Sequence, residues 1–255
     1  MRLQEGRDKQ ILHYVSLFGF LTSLQLSTLH KTNIKVMQRR LRKMVFDEYL
    51  KKIPLPTTTM GACPYIYFLG SRSEQLLKIK SGRPRLNASL SHMIRNVDLM
   101  IQAMLSAEQE GLTCEILPEH IMRSENLNLI PDGAFTLSRN GKKALFMLES
   151  DGGTMVLKSD SMYSDIENKF LKYIEMFSGN SVGYYSKCFS YEFNRFRLLY
   201  ICEDKARLKN ILQMAENMGM NFIFITTQSL FMAQGLNFPI WDSPSFGKDR
   251  KKLIE

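Results

Sequence analysis

Residues 131–154, PDGAFTLSRNGKKALFMLESDGGT, constrain the fold more than any other stretch, because they read as two short strands joined by a turn. Side chains alternate between the two faces of a strand, so on the strand expected at 143–151 Glu149 and Asp151 point to the same face. Asp132 lies on the preceding strand of the same hairpin. The stretch therefore predicts a sheet with three carboxylates near the ends of its strands.

Carboxylates that converge at a sheet edge form a site for Mg²⁺ or Mn²⁺, because hard cations prefer oxygen ligands. Without a cation, repulsion should raise the pKa of at least one of these carboxyl groups. The sequence thus predicts Asp132, Glu149 and Asp151 as metal ligands and catalytic residues.

Lys169 is the candidate cationic partner of these acids. It borders the apolar face of a helix expected at about 161–177, so its ammonium could reach the acidic strand ends as a catalytic group. A second interpretation stays open, in which Lys169 reaches solvent and its aliphatic stem only covers core residues.

The net charge is unevenly distributed along the 255 residues. Residues 1–86 contain 16 Lys or Arg and 5 Asp or Glu, a net charge of +11, so the rest of the chain carries −2 of the total of +9. This asymmetry predicts an amino-terminal module that binds a polyanion, joined to a near-neutral module with other work. A basic face that is merely solvated is the alternative.

The basic module has the element order of a winged helix-turn-helix. Apolar residues recur at helical spacing in 7–18, Thr22-Ser23-Leu24-Gln25 predicts a capping box for a helix ending at Leu29, and a third helix is expected from Ile34 to about Leu50. Two strands within 51–70 and a short helix at SRSEQLLK follow. Three helices and a β-hairpin would place the third helix in the major groove of DNA.

The third helix and the strand after it supply the expected DNA contacts. Basic side chains on a recognition helix contact phosphates, which gives affinity without specifying sequence. The candidate DNA-binding residues are Lys35, Gln38, Arg39, Arg42, Lys43, Lys51 and Lys52. The alternative is a winged helix that contacts another protein.

The second module begins after KSGRPRLNAS, where Gly, Pro, Asn and Ser cluster. Its helical and strand patterns follow the order α-β-β-β-α-β-α-β. We expect a mixed α/β protein with a winged-helix domain at 1–80, a linker at 81–90, a second α/β domain at 91–235 and a polar tail at 236–255.

Several classes of protein do not fit the sequence. No stretch approaches eighteen apolar residues and MRLQEGRDKQ has no signal-peptide character, so we expect a cytoplasmic protein without direct membrane insertion. The four cysteines are scattered without a CxxC, which argues against a zinc knuckle or a disulfide framework. The four histidines do not form a His-hydrophobic-His cluster of the kind that binds a metal ion.

The acidic hairpin and the following helix resemble the PD-(D/E)xK nuclease superfamily, whose αβββαβ core presents an Asp, an acidic residue paired with a lysine, and a divalent metal. Pro131-Asp132 matches the first element and Glu149-x-Asp151 the second, although Asp151 stands where lysine is expected. Relocated lysines occur in this superfamily. Lys169 would then fill that role, and Lys158 is a weaker substitute.

From about residue 5 to 230 the chain resembles the replication-relaxation family and the related MobC-class plasmid relaxases. The segments that carry this resemblance are RDKQIL, LTSLQLSTL, QRRLRKM, YFLG, SHMIRNV, LIPDGAF, FMLESDGGT and KFLKY. The resemblance implies a sequence-specific, metal-dependent DNA-nicking protein that acts at a plasmid origin of transfer or replication. It also implies that His92 and Asn96 of SHMIRNV lie near the site, although helix packing explains His92 equally well.

Three alternatives remain open. Tyr163 or Tyr173 could act as a nucleophile in a covalent mechanism, or the chain could be a non-catalytic replication or transcription regulator whose nuclease-like fold serves dimerisation or a partner. A defence or repair nuclease would share the chemistry. Double-stranded DNA is the expected partner, and the resemblance adds accessory relaxosome and coupling proteins while leaving a homodimer open.

Overall fold

The computed structural model describes residues 6–55, 64–79, 90–123, 125, 127–153, 157, 165–179, 182–247 and 249–253. The chain divides into two compact units, Met1–Ile101 and Gln102–Glu255. Within the described ranges, no helix combines the length and the apolar character that crossing a membrane requires.

The first unit contains helices, a hairpin and a short third strand. Its elements are α1 (Arg7–Phe18), β1 (Leu21–Thr22), α2 (Ser23–Leu29), α3 (Ile34–Phe46), β2 (Leu50–Pro54), β3 (Tyr65–Leu69), α4 (Ser71–Leu77) and the first part of α5 (Leu90–Gln109). The strands form an antiparallel sheet in the order β1-β3-β2. Three helices followed by a hairpin agree with the predicted order, and residues 56–63, which join the two hairpin strands, lie outside the described residues.

Polar caps fix where α2 and α3 begin. Thr22 Oγ1 accepts from the Gln25 backbone N–H at 3.1 Å and the Gln25 side chain accepts from the Thr22 N–H at 2.8 Å, which confirms the predicted capping box. Asn33 caps α3 by accepting from the Lys35 N–H. α3 ends at Phe46, earlier than expected, because Leu50 pairs with Leu69 in the hairpin.

A buried ion pair joins α1 to α3. Arg40 Nε donates to Asp8 Oδ1 at 2.7 Å and a second guanidinium nitrogen donates to Asp8 Oδ2. Asp8 is fully buried. Such a bidentate contact fixes the orientation of the guanidinium and neutralises its charge. Arg40 therefore holds the two helices together and is not one of the exposed basic residues of α3.

The first part of α5 packs on the first unit, although the helix was expected to open the second domain. Leu90 joins a core cluster with Phe20, Ile66 and Phe68. Gln25 Nε2 donates to the Ile94 carbonyl and to an Asp98 oxygen at 2.9 Å. Burial raises the pKa of Asp98, and the hydrogen bond from Gln25 opposes that rise. The expected linker at 81–90 lies outside the described residues except for Leu90.

The second unit is a five-stranded mixed sheet with helices. Its elements are β4 (Thr113–Pro118), α6 (Glu119–Met122), β5 (Gly133–Arg139), β6 (Lys142–Asp151), α7 (Ile166–Ser178), α8 (Gly183–Cys188), β7 (Arg197–Cys202), α9 (Lys205–Asn217), β8 (Ile223–Thr227) and α10 (Gln228–Gln234). The strand order is β4-β5-β6-β7-β8, antiparallel from β4 to β6 and parallel from β6 to β8. The predicted mixed α/β class and the order of its major elements are confirmed, whereas the short helices α6, α8 and α10 were not predicted.

The two faces of β6 serve different surroundings. On one face Leu145 and Met147 join the large core cluster that includes Phe170 of α7 and Ile211 of α9. On the other, Phe146 stacks on Phe135 of the paired strand with ring centroids 5.1 Å apart. The alternation predicted for this strand places Glu149 on the face that the helices cover, so its carboxylate is shielded from water.

The carboxyl-terminal segment differs from the predicted polar tail. Leu236, Ile240 and Trp241 are buried, and the indole N–H of Trp241 donates to the Leu236 carbonyl at 3.1 Å. Asp242 forms a bridge with Ile225 of β8, and Trp241 forms one with Lys251. Burial of these apolar side chains favours packing of the segment onto the unit.

Candidate functional site

The pairing of β5 with β6 brings Asp132 and Glu149 together. Gly133 is opposite Leu148 in this antiparallel ladder, so Asp132 and Glu149 occupy the next step beyond it. Both carboxylates are buried. Asp132 Oδ2 accepts from the Ser150 backbone N–H at 2.8 Å, which holds this side chain against the end of β6.

Helix α7 adds a cation and a hydroxyl to Glu149. Lys169 Nζ donates to Glu149 Oε2, and the Tyr173 hydroxyl donates to Glu149 Oε1. Lys169 and Tyr173 are four residues apart, so they lie on one side of the helix. Asp165 caps α7 through the Asn168 N–H. The structure therefore assembles Asp132, Glu149, Lys169 and Tyr173 from two strand ends and one helix.

The electrostatics of this group reflect burial and close charges. Burial raises the pKa of Glu149 to about 7, with Lys169 acting to lower it and Asp132 to raise it further. Burial lowers the pKa of Lys169, but the negative charges of Glu149 and Asp132 outweigh that effect and raise it above its ordinary value. Burial and the neighbouring Glu149 also raise the pKa of Tyr173, so its phenol keeps its proton.

Asp151 is held in a separate ion pair. Its Oδ2 accepts from Arg207 Nε of α9 at 2.6 Å, and its Oδ1 accepts from the Gly153 N–H at 2.9 Å. The three acids therefore do not converge as expected, because the third, Asp151, is paired with Arg207. Sequence reasoning missed Arg207. No local sequence pattern pointed to it, because the pairing of β6 with β7 is what brings the start of α9 to the sheet edge where Asp151 lies.

Given the DNA nicking expected from the sequence, Asp151→Asn should reduce that activity much less than the corresponding change at Asp132. Asp151 is bound to Arg207 and a backbone N–H, so the loss of its charge should act through the position of α9. The prediction is a decrease in nicking rate of less than about tenfold for Asp151→Asn and of about 10³-fold for Asp132→Asn. Equal losses in a supercoiled-plasmid assay would return Asp151 to the catalytic group.

The residues fit a divalent cation in part. Among the described residues, no three or more His, Cys, Asp or Glu side chains are grouped to hold a metal ion. Asp132 and Glu149 nevertheless supply hard oxygens side by side, and Mg²⁺ is commonly held by one or two carboxylates together with substrate phosphates. The donor set therefore suits a two-carboxylate site for Mg²⁺ or Mn²⁺ and not the three-carboxylate site expected.

The other candidate residues belong to the first unit or lie outside the described residues. His92 and Asn96 belong to the first unit, on α5, where Asn96 Nδ2 lies 3.1 Å from His92 Nε2. Lys158 and Tyr163 lie outside the described residues.

The predicted DNA-binding residues are all exposed in the first unit. Met37, Leu41 and Met44 are buried on one side of α3, so its basic residues lie on the other, exposed side. The exposed residues are Lys35, Gln38, Arg39, Arg42 and Lys43 on α3 and Lys51 and Lys52 on β2. Lys52 Nζ lies 4.3 Å from the ring centroid of Tyr65 on the paired strand. Lys51 and Lys52 are adjacent on β2, so their side chains leave opposite faces of the strand. We call the five residues on α3 the basic face.

Comparison with known proteins places the chain in a family. The sequence model of the family described as Replication-relaxation matches residues 12–184, more than half of the chain. This chain belongs to the Replication-relaxation family. The match contains the basic face, Asp132, Glu149, Lys169 and Tyr173, and it ends before Arg207. Membership associates this Replication-relaxation protein with DNA replication and DNA processing. No curated protein matches it.

Two solved structures of the restriction endonuclease FokI are similar to this Replication-relaxation protein. The structure of FokI gives a TM-score of 0.37 and 12% identity over 90% of this chain and 43% of that chain. The structure of FokI bound to DNA gives 0.30 and 12% over 90% and 44%. The Replication-relaxation protein thus spans less than half of either chain, and similarity this remote carries no residue roles across.

Proposed function

We propose that this chain binds double-stranded DNA through its basic face and nicks one strand at an origin of plasmid transfer or replication. Asp132, Glu149 and Lys169 carry the chemistry in this proposal. The observation that supports it most directly is the convergence of two buried carboxylates and a lysine ammonium from β5, β6 and α7. Burying carboxylates costs free energy, so a domain that serves only as a scaffold is not expected to place two of them together at a buried sheet edge.

Each residue has a separate task. Asp132 and Glu149 would hold Mg²⁺ or Mn²⁺, and a bound cation would stabilise charge on the scissile phosphate and acidify a water molecule. Lys169 Nζ, whose raised pKa keeps it protonated, would donate to a phosphate oxygen as charge develops in the transition state. Tyr173 orients the Glu149 carboxylate by donating to Oε1, which leaves the hydroxyl engaged and makes a positioning role more consistent with its geometry than nucleophilic attack.

A plasmid assay tests the proposal. Purified protein is incubated with supercoiled DNA that carries a candidate origin, with Mg²⁺, with Mn²⁺ or with chelator. We expect open circles only when the metal is present. Tight binding with no open circles under any of these conditions would refute nicking.

One observation favours the non-catalytic alternative. Both oxygens of Glu149 and both oxygens of Asp151 already accept hydrogen bonds from the protein. In the non-catalytic alternative, the second unit is a platform for dimerisation or for a partner, and the chain regulates replication or transcription by binding DNA. The same plasmid assay separates the two functions, because only a nickase changes DNA topology.

We expect Arg39→Gln with Arg42→Gln to weaken duplex binding. Both side chains are exposed on the basic face, so removing their charge should eliminate about two phosphate contacts and reduce the slope of log K against log salt by roughly 2. Fluorescence anisotropy across a salt series measures the slope. Arg72→Gln on α4 with Lys78→Gln at its C-cap removes the same charge as a matched control, and an equal effect of the two pairs would contradict the assignment of the basic face.

A further inference from the structure

A second basic surface lies in the second unit, apart from the candidate nicking residues. It is a cavity of about 870 Å³ at the end of the sheet where β6 begins. Its lining, all within the described part of the chain, includes six cations and no acidic residue. The cations are Arg139, Lys142, Lys143, Arg197, Lys251 and Lys252.

Among the described residues, acidic side chains neutralise little of this positive charge. Lys143 is paired with Glu115 at 2.5 Å. Arg139 and Arg197 donate to the carbonyl oxygens of Glu110 and Leu253, at 2.7 and 3.1 Å, and a carbonyl orients a guanidinium without cancelling its charge. Since residues 87–255 carry a net charge of −2, the cavity concentrates positive charge against the overall sign of its unit.

Aromatic rings form part of the same cavity. The Arg197 guanidinium lies 5.8 and 5.6 Å from the ring centroids of Phe146 and Phe224, and Lys251 Nζ lies 5.1 Å from that of Phe246. Phe246 also contacts Phe224 edge-on, at 5.4 Å between ring centroids, and it remains partly exposed. Cations interleaved with an accessible ring are the pattern by which proteins hold unpaired nucleotides, with phosphates on the cations and a base on the ring.

We propose that this cavity binds a short segment of single-stranded DNA, with its phosphodiester groups on Lys142, Arg197, Lys251 and Lys252 and one base against Phe246. Its volume accommodates a few nucleotides of one strand. Paired bases cannot present a free face to Phe246, so the aromatic contact selects a single strand over a duplex.

The cavity is separate from the residues proposed for nicking. Lys142 and Glu149 are seven residues apart on β6, which corresponds to about 23 Å along the strand. Phe146, which the cavity includes, faces away from the side of β6 that carries Glu149. Single-strand binding therefore does not depend on the proposed nicking activity, and the two can fail independently.

The test uses the full chain carrying Arg39→Gln and Arg42→Gln, so that the basic face contributes little to binding. Anisotropy of a labelled oligothymidine of about 12 nucleotides is measured across a salt series. Lys142→Gln with Lys252→Gln is compared with Lys187→Gln with Lys209→Gln, a control that removes two exposed lysines elsewhere in the same unit. A Phe246→Leu variant tests the aromatic contact while keeping an apolar side chain.

We expect the cavity pair to weaken oligothymidine binding about tenfold and to reduce the salt slope by roughly 1.4, and the control pair to change neither. Phe246→Leu should weaken binding by at least about fivefold with little change in slope. Equal effects of the two lysine pairs would overturn the proposal. So would tighter binding of a matched duplex at the cavity, or full displacement of the oligonucleotide by millimolar inorganic phosphate, since the latter identifies a site for free phosphate.

Discussion

Glu149→Gln protein is expected to leave supercoiled plasmid DNA uncut under conditions in which the unaltered protein converts it to open circles. Glutamine keeps the shape of the side chain but supplies only one oxygen and no charge, so a divalent cation loses one of its two carboxylate ligands. The nicking rate should decrease by about 10³-fold or more. Gel electrophoresis of the topoisomers over time gives the rate.

The same substitution also removes the partner of Lys169, and loss of folding must be separated from loss of chemistry. Glu149→Gln combined with Lys169→Met removes both charges, so thermal stability should recover relative to Glu149→Gln alone. Nicking should not recover. Glu216→Gln on the exposed side of α9 serves as a control. Nicking by Glu149→Gln protein at the normal rate would eliminate Glu149 from the mechanism and leave the regulator as the better proposal.

Asp8→Ala and Arg40→Ala are each expected to destabilise the first unit by about 3 kcal/mol. Either change breaks the buried, doubly hydrogen-bonded ion pair, and breaking such a pair by removing one member is strongly destabilising. Unfolding in urea, followed by circular dichroism, gives the free energy. The double change Asp8→Leu with Arg40→Met should restore most of the loss, because it replaces the pair with apolar side chains.

Arg39 gives a matched comparison with Arg40, its neighbour on α3. Arg39→Ala should change the free energy of unfolding by no more than about 0.5 kcal/mol, because the side chain is exposed. It should weaken duplex binding, whereas the double Leu and Met variant at positions 8 and 40 should bind nearly as the unaltered protein does. Comparable destabilisation by Arg39→Ala and Arg40→Ala would show that the ion pair with Asp8 contributes little.

The sequence predicted those features that depend on residues near one another in the chain. The Thr22 capping box, the two sides of α3 and the alternation along β6 all follow from local periodicity and capping chemistry, and the structure agrees with each. The placement of Asp132 opposite Glu149 also follows from a hairpin, since a short turn fixes the register of two adjacent strands.

Features that depend on distant residues were not predictable in the same way. The partner of Asp151 is Arg207, 56 positions later, and only the packing of α9 brings it to the sheet edge. Likewise, the partner of Arg40 is Asp8, 32 positions earlier, and only the packing of α1 against α3 brings the two together. A charged residue in a motif has no assigned role until every element packed against it is known.

The carboxyl-terminal segment bears on how the second unit can be shortened. The bridge from Asp242 to Ile225 and the buried indole of Trp241, which contacts Phe231, together cover the edge of β8 and the side of α10. A chain ended at residue 235 would expose that strand edge and an aromatic patch to water. Such a fragment should self-associate through edge-to-edge strand pairing. A soluble fragment of the second unit should therefore include the residues through at least Leu253.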